Sequence, residues 1–432
     1  WDNISATRTG YSIPTTQLVA GAIAEVSTSY EDQYSIEGYL FRGEYNLSDK
    51  YYLSGSFRTD GSSRFFKDVR WGSFWSIGGS WRISQESFMK GNSWINDLKL
   101  KASFGEQGND NINNYYGWQS LFSISGTNNA NYNGAVHSQL ENKALQWEKN
   151  ANLNTGIEFE VLKRITGSFE YFIRNSSNLL FSVPLPQSTG ISSNWQNIGS
   201  MNNKGVELTL GVDIIKADKL IWNLEFNVTS YKNKITKMPV GSDGKPQEII
   251  TTTGNKKLSE GHSIYDFWLR EWAGVDPDDG SALYYMDVKD VDGNVTDRTT
   301  TKDQNAAGYY YVGTSIPKVY GGITNSISYK GFDFSLLVSY SLGGKMYDSN
   351  WATLMHTGAF GSAWSTDILN RWQKSGDVTN VPRLQNSYTA ATAASSRYLT
   401  DASYASFRNI TLSYTFPASI SKAMDMASLR IL

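Results

Sequence analysis

Two alternations run through this chain together, and few folds satisfy both. Segments whose side chains alternate in polarity are joined by connections that alternate in length. Short turns fall at 48–49, 162–164, 215–218, 276–280 and 330–331, and long polar loops at 107–146, 176–203, 232–263, 288–315 and 344–396. An up-and-down barrel in a bacterial outer membrane has this form, because its turns stay tight on one side while its loops grow long on the other. The expected fold is all-β, a transmembrane antiparallel up-and-down β-barrel.

The strands decide what surrounds them. Asp97–Phe104 puts Leu98, Leu100, Ala102 and Phe104 on one face and Lys99, Lys101 and Ser103 on the other. The pattern recurs as Val206, Leu208, Leu210 and Val212 against Glu207 and Thr209, and as Trp222, Leu224, Phe226 and Val228 against Asn223, Glu225, Asn227 and Thr229. It returns in Phe332, Phe334, Leu336 and Val338 against Asp333 and Ser335. A half-exposed sheet of a soluble sandwich alternates in the same way, so the period alone does not choose. Length does. Crossing hydrocarbon takes about 9–11 tilted residues, soluble strands cluster near about 5–6, and the segments 36–47, 71–83, 147–161, 204–214, 219–231 and 316–329 are long.

The composition fits a barrel. There are 14 Trp, 26 Tyr and 19 Phe, and aromatics near strand ends form girdles at the membrane interfaces. No run approaches the roughly 18 apolar residues of a membrane helix, but a barrel needs none, since every second residue faces away from lipid. A net charge of -2 brings no basic stripe for nucleic acid. Without cysteine there are no disulfides or thiolate metal sites. Trp1 has no initiator Met or signal peptide before it, and Ala427–Leu432 reads as the start of a further strand. A partial or processed chain is therefore expected, with about thirteen strands before that fragment and 13–14 in all.

Several blocks then carry a family resemblance. They include Lys50–Leu53, Phe57–Phe65, Arg70–Phe74, Gly79–Phe88, Asp97–Gly105 with Gly108 and Asn109, and Trp147–Lys149 with Asn154–Gly156. Asn197–Ser200 with Asn203–Leu208, and Tyr404–Tyr414, complete the series. In this order, from about residue 36 to 432, they resemble the SusC/RagA-like TonB-dependent outer-membrane transporters of Bacteroidetes. Trp75 stands where that family usually has Pro, and the first 34 residues match little.

The resemblance implies a partial barrel of the 22-stranded, lumen-plugged type, with residues 1–34 a loop or lead-in and 35–432 the barrel, its plug and last strands lying outside the chain. It implies import of oligosaccharides or peptides, driven by TonB through an N-terminal segment that is also outside. The partners it implies are a SusD-like surface lipoprotein acting as lid and outer-membrane lipid, with a homodimer of such pairs among the arrangements it allows. No enzyme activity and no cofactor are implied.

Candidate ligand contacts lie in the loops, where residues are free to serve binding. Tyr115, Tyr116 and Trp118, Trp195, and Tyr309 and Tyr310 offer flat rings beside amide side chains, which suits sugar stacking. The plainer reading is that they pack the loops or form the outer girdle. On the polar face, Arg58, Lys99, Lys101, Glu158, Glu160, Glu207 and Glu225 are expected to line the lumen, as solvated wall charge or as selectivity and plug contacts.

Catalytic groupings are poor. His137, His262 and His356 stand far apart. Asp276–Gly280 reads as a tight turn. Asp290–Asn294 has part of the spacing of a calcium loop, but its Gly is fourth rather than sixth and Thr301 holds position twelve, so calcium there is left open. Two rivals stand beside import: a soluble β-rich carbohydrate-active protein, and a barrel that serves as a non-transporting scaffold in an envelope complex. A short helix capped by Ser84 is expected over the irregular connection 84–96.

Overall fold

A computed structural model describes residues 2–9, 23–112, 114–124, 128–129, 132–241, 243–251 and 254–432. Its main feature is a twelve-stranded antiparallel sheet in which each strand pairs with its neighbours in sequence. The wall strands are β3 (Ile36–Leu47), β4 (Tyr51–Ser62), β5 (Trp71–Arg82), β6 (Ile95–Asn109), β7 (Glu148–Val161) and β8 (Ile165–Ser177). They continue as β9 (Ser200–Ala217), β10 (Leu220–Lys237), β11 (Val319–Tyr329), β12 (Phe332–Leu342), β13 (Tyr404–Thr415) and the short β14 (Arg430–Ile431). The outermost strands, β3 and β14, do not pair with each other, so the sheet is an open stretch of barrel wall. The lead-in expected over 1–34 contains a separate hairpin, β1 (Asp2–Thr9) with β2 (Ile23–Glu31).

Register carries the alternation across the sheet. One continuous outward row runs Leu100–Ile157–Phe169–Leu208–Val228, each residue directly opposite the next. A second runs Phe226–Ile323–Val338, and Leu336 lies opposite Ile410. A slip of one residue at any pair would send the following stripe to the wrong face, so the apolar stripes fix the register. Aromatic pairs sit beside the short turns: Tyr51 with Trp81, ring centres 6.5 Å apart, and Phe332 with Tyr414 at 4.4 Å. The polar Asn325 in the outward belt accepts the indole N–H of Trp222 at 2.8 Å, which removes its hydrogen-bonding debt. No helix among the described residues is long and apolar enough to cross a membrane.

Short connections cap one end of the wall. Ser48 and Asp49 (φ 56° and 55°), and Leu162 and Lys163 (φ 54° and 52°), are the central pairs of β-turns closed by Lys50 N–H to Leu47 and Arg164 N–H to Val161, both residues left-handed, the twist that suits a tight hairpin. Between β5 and β6 the expected helix is two 3-10 turns, Ile83–Gln85 and Ser87–Met89, without side-chain caps. Ser84 caps nothing there, because its hydroxyl donates to Asp97 instead.

The other end differs from expectation at one place. Asp276–Gly280 is a tight turn, Gly280 N–H donating to the Asp276 carbonyl at 2.8 Å, but it does not join wall strands. It lies inside a single excursion between β10 and β11, in a small sheet of Trp272–Val275, Ala282–Lys289 and Val295–Thr301. The loop expected at 232–263 begins later than expected, because β10 runs on to Lys237; its remainder and the loop expected at 288–315 are parts of that one excursion, and the two strands flanking the turn belong to the loops. Their alternation satisfies the same pattern as a wall strand, so polarity alone does not separate the two.

The long loops have cores of their own. Phe65, Phe74, Ile112, Leu145 and Trp147 are buried together, with Val69, Trp118, Leu180 and Trp195 against them. Phe74 points from the polar face of β5 into this cluster. A Cβ on Gly72 or Gly108 would stand 2.6 or 2.1 Å from its ring, so both positions require glycine. Two further clusters centre on Ala282, Tyr284, Ala307 and Ala390, and on Met355, Val381 and Tyr398.

Leu162 and Lys163 hold left-handed backbone without the residues that favour it, at a cost of about 1–2 kcal/mol per residue. Replacing them by Asn and Gly (L162N/K163G) should stabilise the barrel by about 1–2 kcal/mol. A higher urea midpoint of the folded receptor in micelles checks this; an unchanged or lower midpoint contradicts it.

Candidate functional site

The polar face of the wall and the loop layer above it are the two places where function-bearing side chains gather. Register places Arg58, Lys99, Lys101, Glu158, Glu207 and Glu225 on one face, since Ser80 lies opposite Lys101, Lys99 opposite Glu158, Glu170 opposite Glu207 and Glu225 opposite Gly211. The ammonium of Lys101 bridges Glu158 at 2.8 Å and Glu170 at 2.5 Å, while Lys99 reaches the other oxygen of Glu158 at 3.3 Å. Arg58 Nε meets Asp60 at 2.6 Å, and a Cβ on Gly38 would collide with that carboxylate.

Charges further along the wall have weaker company. Glu207 is exposed and makes no side-chain bond among the described residues, although it lies across the ladder from Glu170. Glu225 borders a recess of about 460 Å³ with Glu158, Glu160, Asp97, Thr166 and Ser168. A second recess, about 720 Å³, is lined by Glu44, Asn46, Tyr52, Lys99, Lys101 and Glu170 among others. This face thus carries charges of both signs beside hydroxyl groups.

The six loop aromatics fall into two groups. Tyr115 stands 5.9 Å from Tyr34, and the Arg64 guanidinium sits over both rings at 5.1 and 4.6 Å. The Tyr116 hydroxyl accepts the Gln33 amide at 3.0 Å. Trp118 lies 5.2 Å from Phe66, and Trp195 packs on the Phe65–Trp147 cluster. The second group lies in the later loop: Tyr309 stacks 6.3 Å from Trp268 under Arg270, and the Tyr310 hydroxyl donates to Asp287 at 2.6 Å. Each of the six thus has a packing or hydrogen-bonding partner within the loop layer, and of them Tyr309 is 37% exposed.

Sequence reasoning passed over three groupings here. Asp110 gathers Tyr34 O–H at 2.9 Å, Ser62 O–H at 2.7 Å and the Arg64 guanidinium. Lys257 lies 3.6 Å over the Trp268 ring and pairs with Glu248 at 3.1 Å. Arg397 is buried among Trp272, Trp351 and Tyr398, donating to the Ala391 carbonyl at 3.0 Å. Arg397 joins strand and loop segments far apart in the chain, and no spacing signals such a contact. The three histidines are stacked on Phe122, Tyr311 and Trp364. The Asp290 carboxylate accepts the amides of Asp292 and Asn294 within its own turn. No group of three or more potential metal ligands occurs among the described residues.

Comparison with known proteins places this geometry. The family model for TonB dependent receptor-like, beta-barrel, matches residues 1–275. TonB-dependent receptor P3 of Formosa agariphila is 29% identical across 96% of this chain and 42% of its own length. TonB-dependent receptor SusC of Bacteroides thetaiotaomicron is 29% identical across 77% of this chain and 34% of its own. The RagAB peptide importer in its closed-closed state matches with a TM-score of 0.86 at 25% identity, covering 99% of this chain and 47% of that one. The chain thus spans less than half of each relative.

Two outcomes follow from the charges. Lys101→Met should cost about 1 kcal/mol, because it leaves the Glu170 carboxylate facing Glu207 across the ladder and Glu158 with Lys99 alone. Adding Glu207→Gln should recover part of that loss, measured by urea unfolding of the single and double variants; strict additivity contradicts the coupling. In the loop layer, burial opposes ionisation of Asp279, but the Ser281 amide and hydroxyl and the Lys302 ammonium outweigh it and hold its carboxyl at about 2. A depressed carboxylate stabilises above its unfolded value, near about 3.9, and that contribution is lost as pH falls toward about 2. Deuterium uptake over residues 276–281, corrected for intrinsic rate, should rise in that window and should already be raised at pH 6 in Asp279→Asn. Uptake that ignores both changes contradicts the assignment.

Proposed function

This chain belongs to the TonB-dependent receptor-like β-barrel family, of SusC/RagA type, and on that premise we propose that it forms the wall of an outer-membrane importer. The cargo is a polar oligomer, an oligosaccharide or a peptide, too large for an open porin. A SusD-like surface lipoprotein covers the long-loop end, and TonB supplies the force through a part of the receptor beyond this chain. The observation that carries the reading is the two-faced register: apolar side chains in continuous rows on one face, Lys99, Lys101, Glu158, Glu207 and Glu225 on the other. A face of mixed charge and hydroxyl groups suits neutral sugars and peptide backbones, which need hydrogen bonds of both senses.

RagAB is a peptide importer, and that likeness favours peptide over sugar as the first cargo to test. The loop rings support the sugar alternative less strongly, since each is engaged within the loop layer. Loop aromatics that hold the layer together also shape the surface a lid would meet.

The test is uptake by cells carrying the whole receptor with its neighbouring lipoprotein, using labelled peptide and oligosaccharide pools. Uptake of one pool that stops when TonB is removed is the expected result, and mass spectrometry of the purified pair should show that cargo bound. Cells that take up neither pool above the receptor-deleted background would contradict import and leave the wall as a scaffold in an envelope complex.

A further inference from the structure

Outward positions of β9 and β10 change chemistry abruptly. From the short-turn end, the directly opposed outward pairs are Val212 with Leu224, Leu210 with Phe226 and Leu208 with Val228. Then Val206 faces Ser230, Lys204 faces Lys232 and Asn202 faces Lys234. Lys204, Lys232 and Lys234 are exposed, and none makes an ion pair or side-chain hydrogen bond among the described residues. Like charges directly opposed on a ladder are destabilising, so Lys204 and Lys232 weaken the wall unless an anion lies between them.

The surroundings fit such an anion. The three lysines line a recess of about 640 Å³ that Gly261, Thr314, Pro317 and a fourth lysine, Lys318, also border. The carboxylate in its lining, Asp266, is already engaged: it accepts the Ser263 amide at 3.0 Å and faces His262 Nδ1 at 3.7 Å. Asn202 and Thr236 also border the recess and add neutral donors. A single lysine above an apolar belt is ordinary snorkelling, its stem on the belt and its head in water. Three on adjacent strands, two of them opposed, need a shared counter-charge at the height where hydrocarbon ends and headgroups begin.

We propose that Lys204, Lys232 and Lys234 bind the phosphate of an anionic lipid headgroup in the leaflet surrounding the long-loop end. Clustered basic residues at a membrane surface select anionic headgroups, and the site rests on the reading that the apolar stripe meets lipid. The bound headgroup would tie the upper ends of β9 and β10 together beyond Thr229, where the pairing of β10 with β11 stops at Tyr320.

The experiment uses the intact receptor in nanodiscs of phosphatidylcholine, with and without bisphosphorylated lipid A. Lipid A should raise the thermal midpoint of the parent by several degrees and do the same for K204R/K232R/K234R. The shift should be mostly lost in K204Q/K232Q/K234Q. Three results overturn the proposal: no shift in the parent, a full shift in the glutamine variant, or the whole shift reproduced by inorganic phosphate without lipid A. The readout needs no cargo, so a failed uptake test and a failed lipid test are separate outcomes.

Discussion

A strand that crosses hydrocarbon has nowhere to place its amide hydrogens and carbonyls except on the strands beside it, and the rest of this structure depends on that constraint. Because each wall strand pairs with its sequence neighbours, the chain can rise and fall only as a meander. Because pairing fixes register, the apolar stripe chosen on one strand is passed to the next. The row from Leu100 to Val228 crosses five strands without a slip between its members. The polar face is the necessary complement of that row.

The loop layer obeys a different physics. It lies beyond the hydrocarbon and is held by small buried clusters, stacked rings and charge-assisted bonds. Phe74 joins the two regimes: it begins on the polar face of β5 and ends in the loop cluster, in space left by Gly72 and Gly108. The Asp110 grouping and the buried Arg397 do similar work higher up, fixing loops that are remote in sequence. A layer tied down at many points presents a set surface.

The wall was legible in sequence because its signal is local: period-two polarity, long strands and tight turns, all within about a dozen residues. Ordered blocks such as Phe57–Phe65 and Tyr404–Tyr414 added the family. The excursion between β10 and β11 was not legible. Its strands Trp272–Val275 and Ala282–Lys289 alternate as wall strands do, and the turn at Asp276–Gly280 is as tight as a turn between them. What distinguishes them is which strands they pair with, and pairing is a tertiary fact. The site residues divide in the same way. Lys99, Lys101, Glu158, Glu207 and Glu225 share a face that alternation alone assigns, whereas the partners of Tyr115, Trp195 and Tyr310 come from segments that no spacing connects.

The chain contains no cysteine, which allows the most direct test of its central claim, that one stripe of every wall strand meets lipid and the other encloses a watery passage. Single cysteines placed along β6 and β9 of the intact receptor, from Leu98→Cys to Ser103→Cys and from Val206→Cys to Val212→Cys, would carry a fluorophore in bilayers containing lipid-borne or water-borne quenchers. The account predicts strict alternation, with positions 98, 100, 102, 206, 208 and 210 quenched from the lipid and positions 99, 101, 207 and 209 from water. Equal quenching at neighbouring positions, or the alternation reversed, would contradict it.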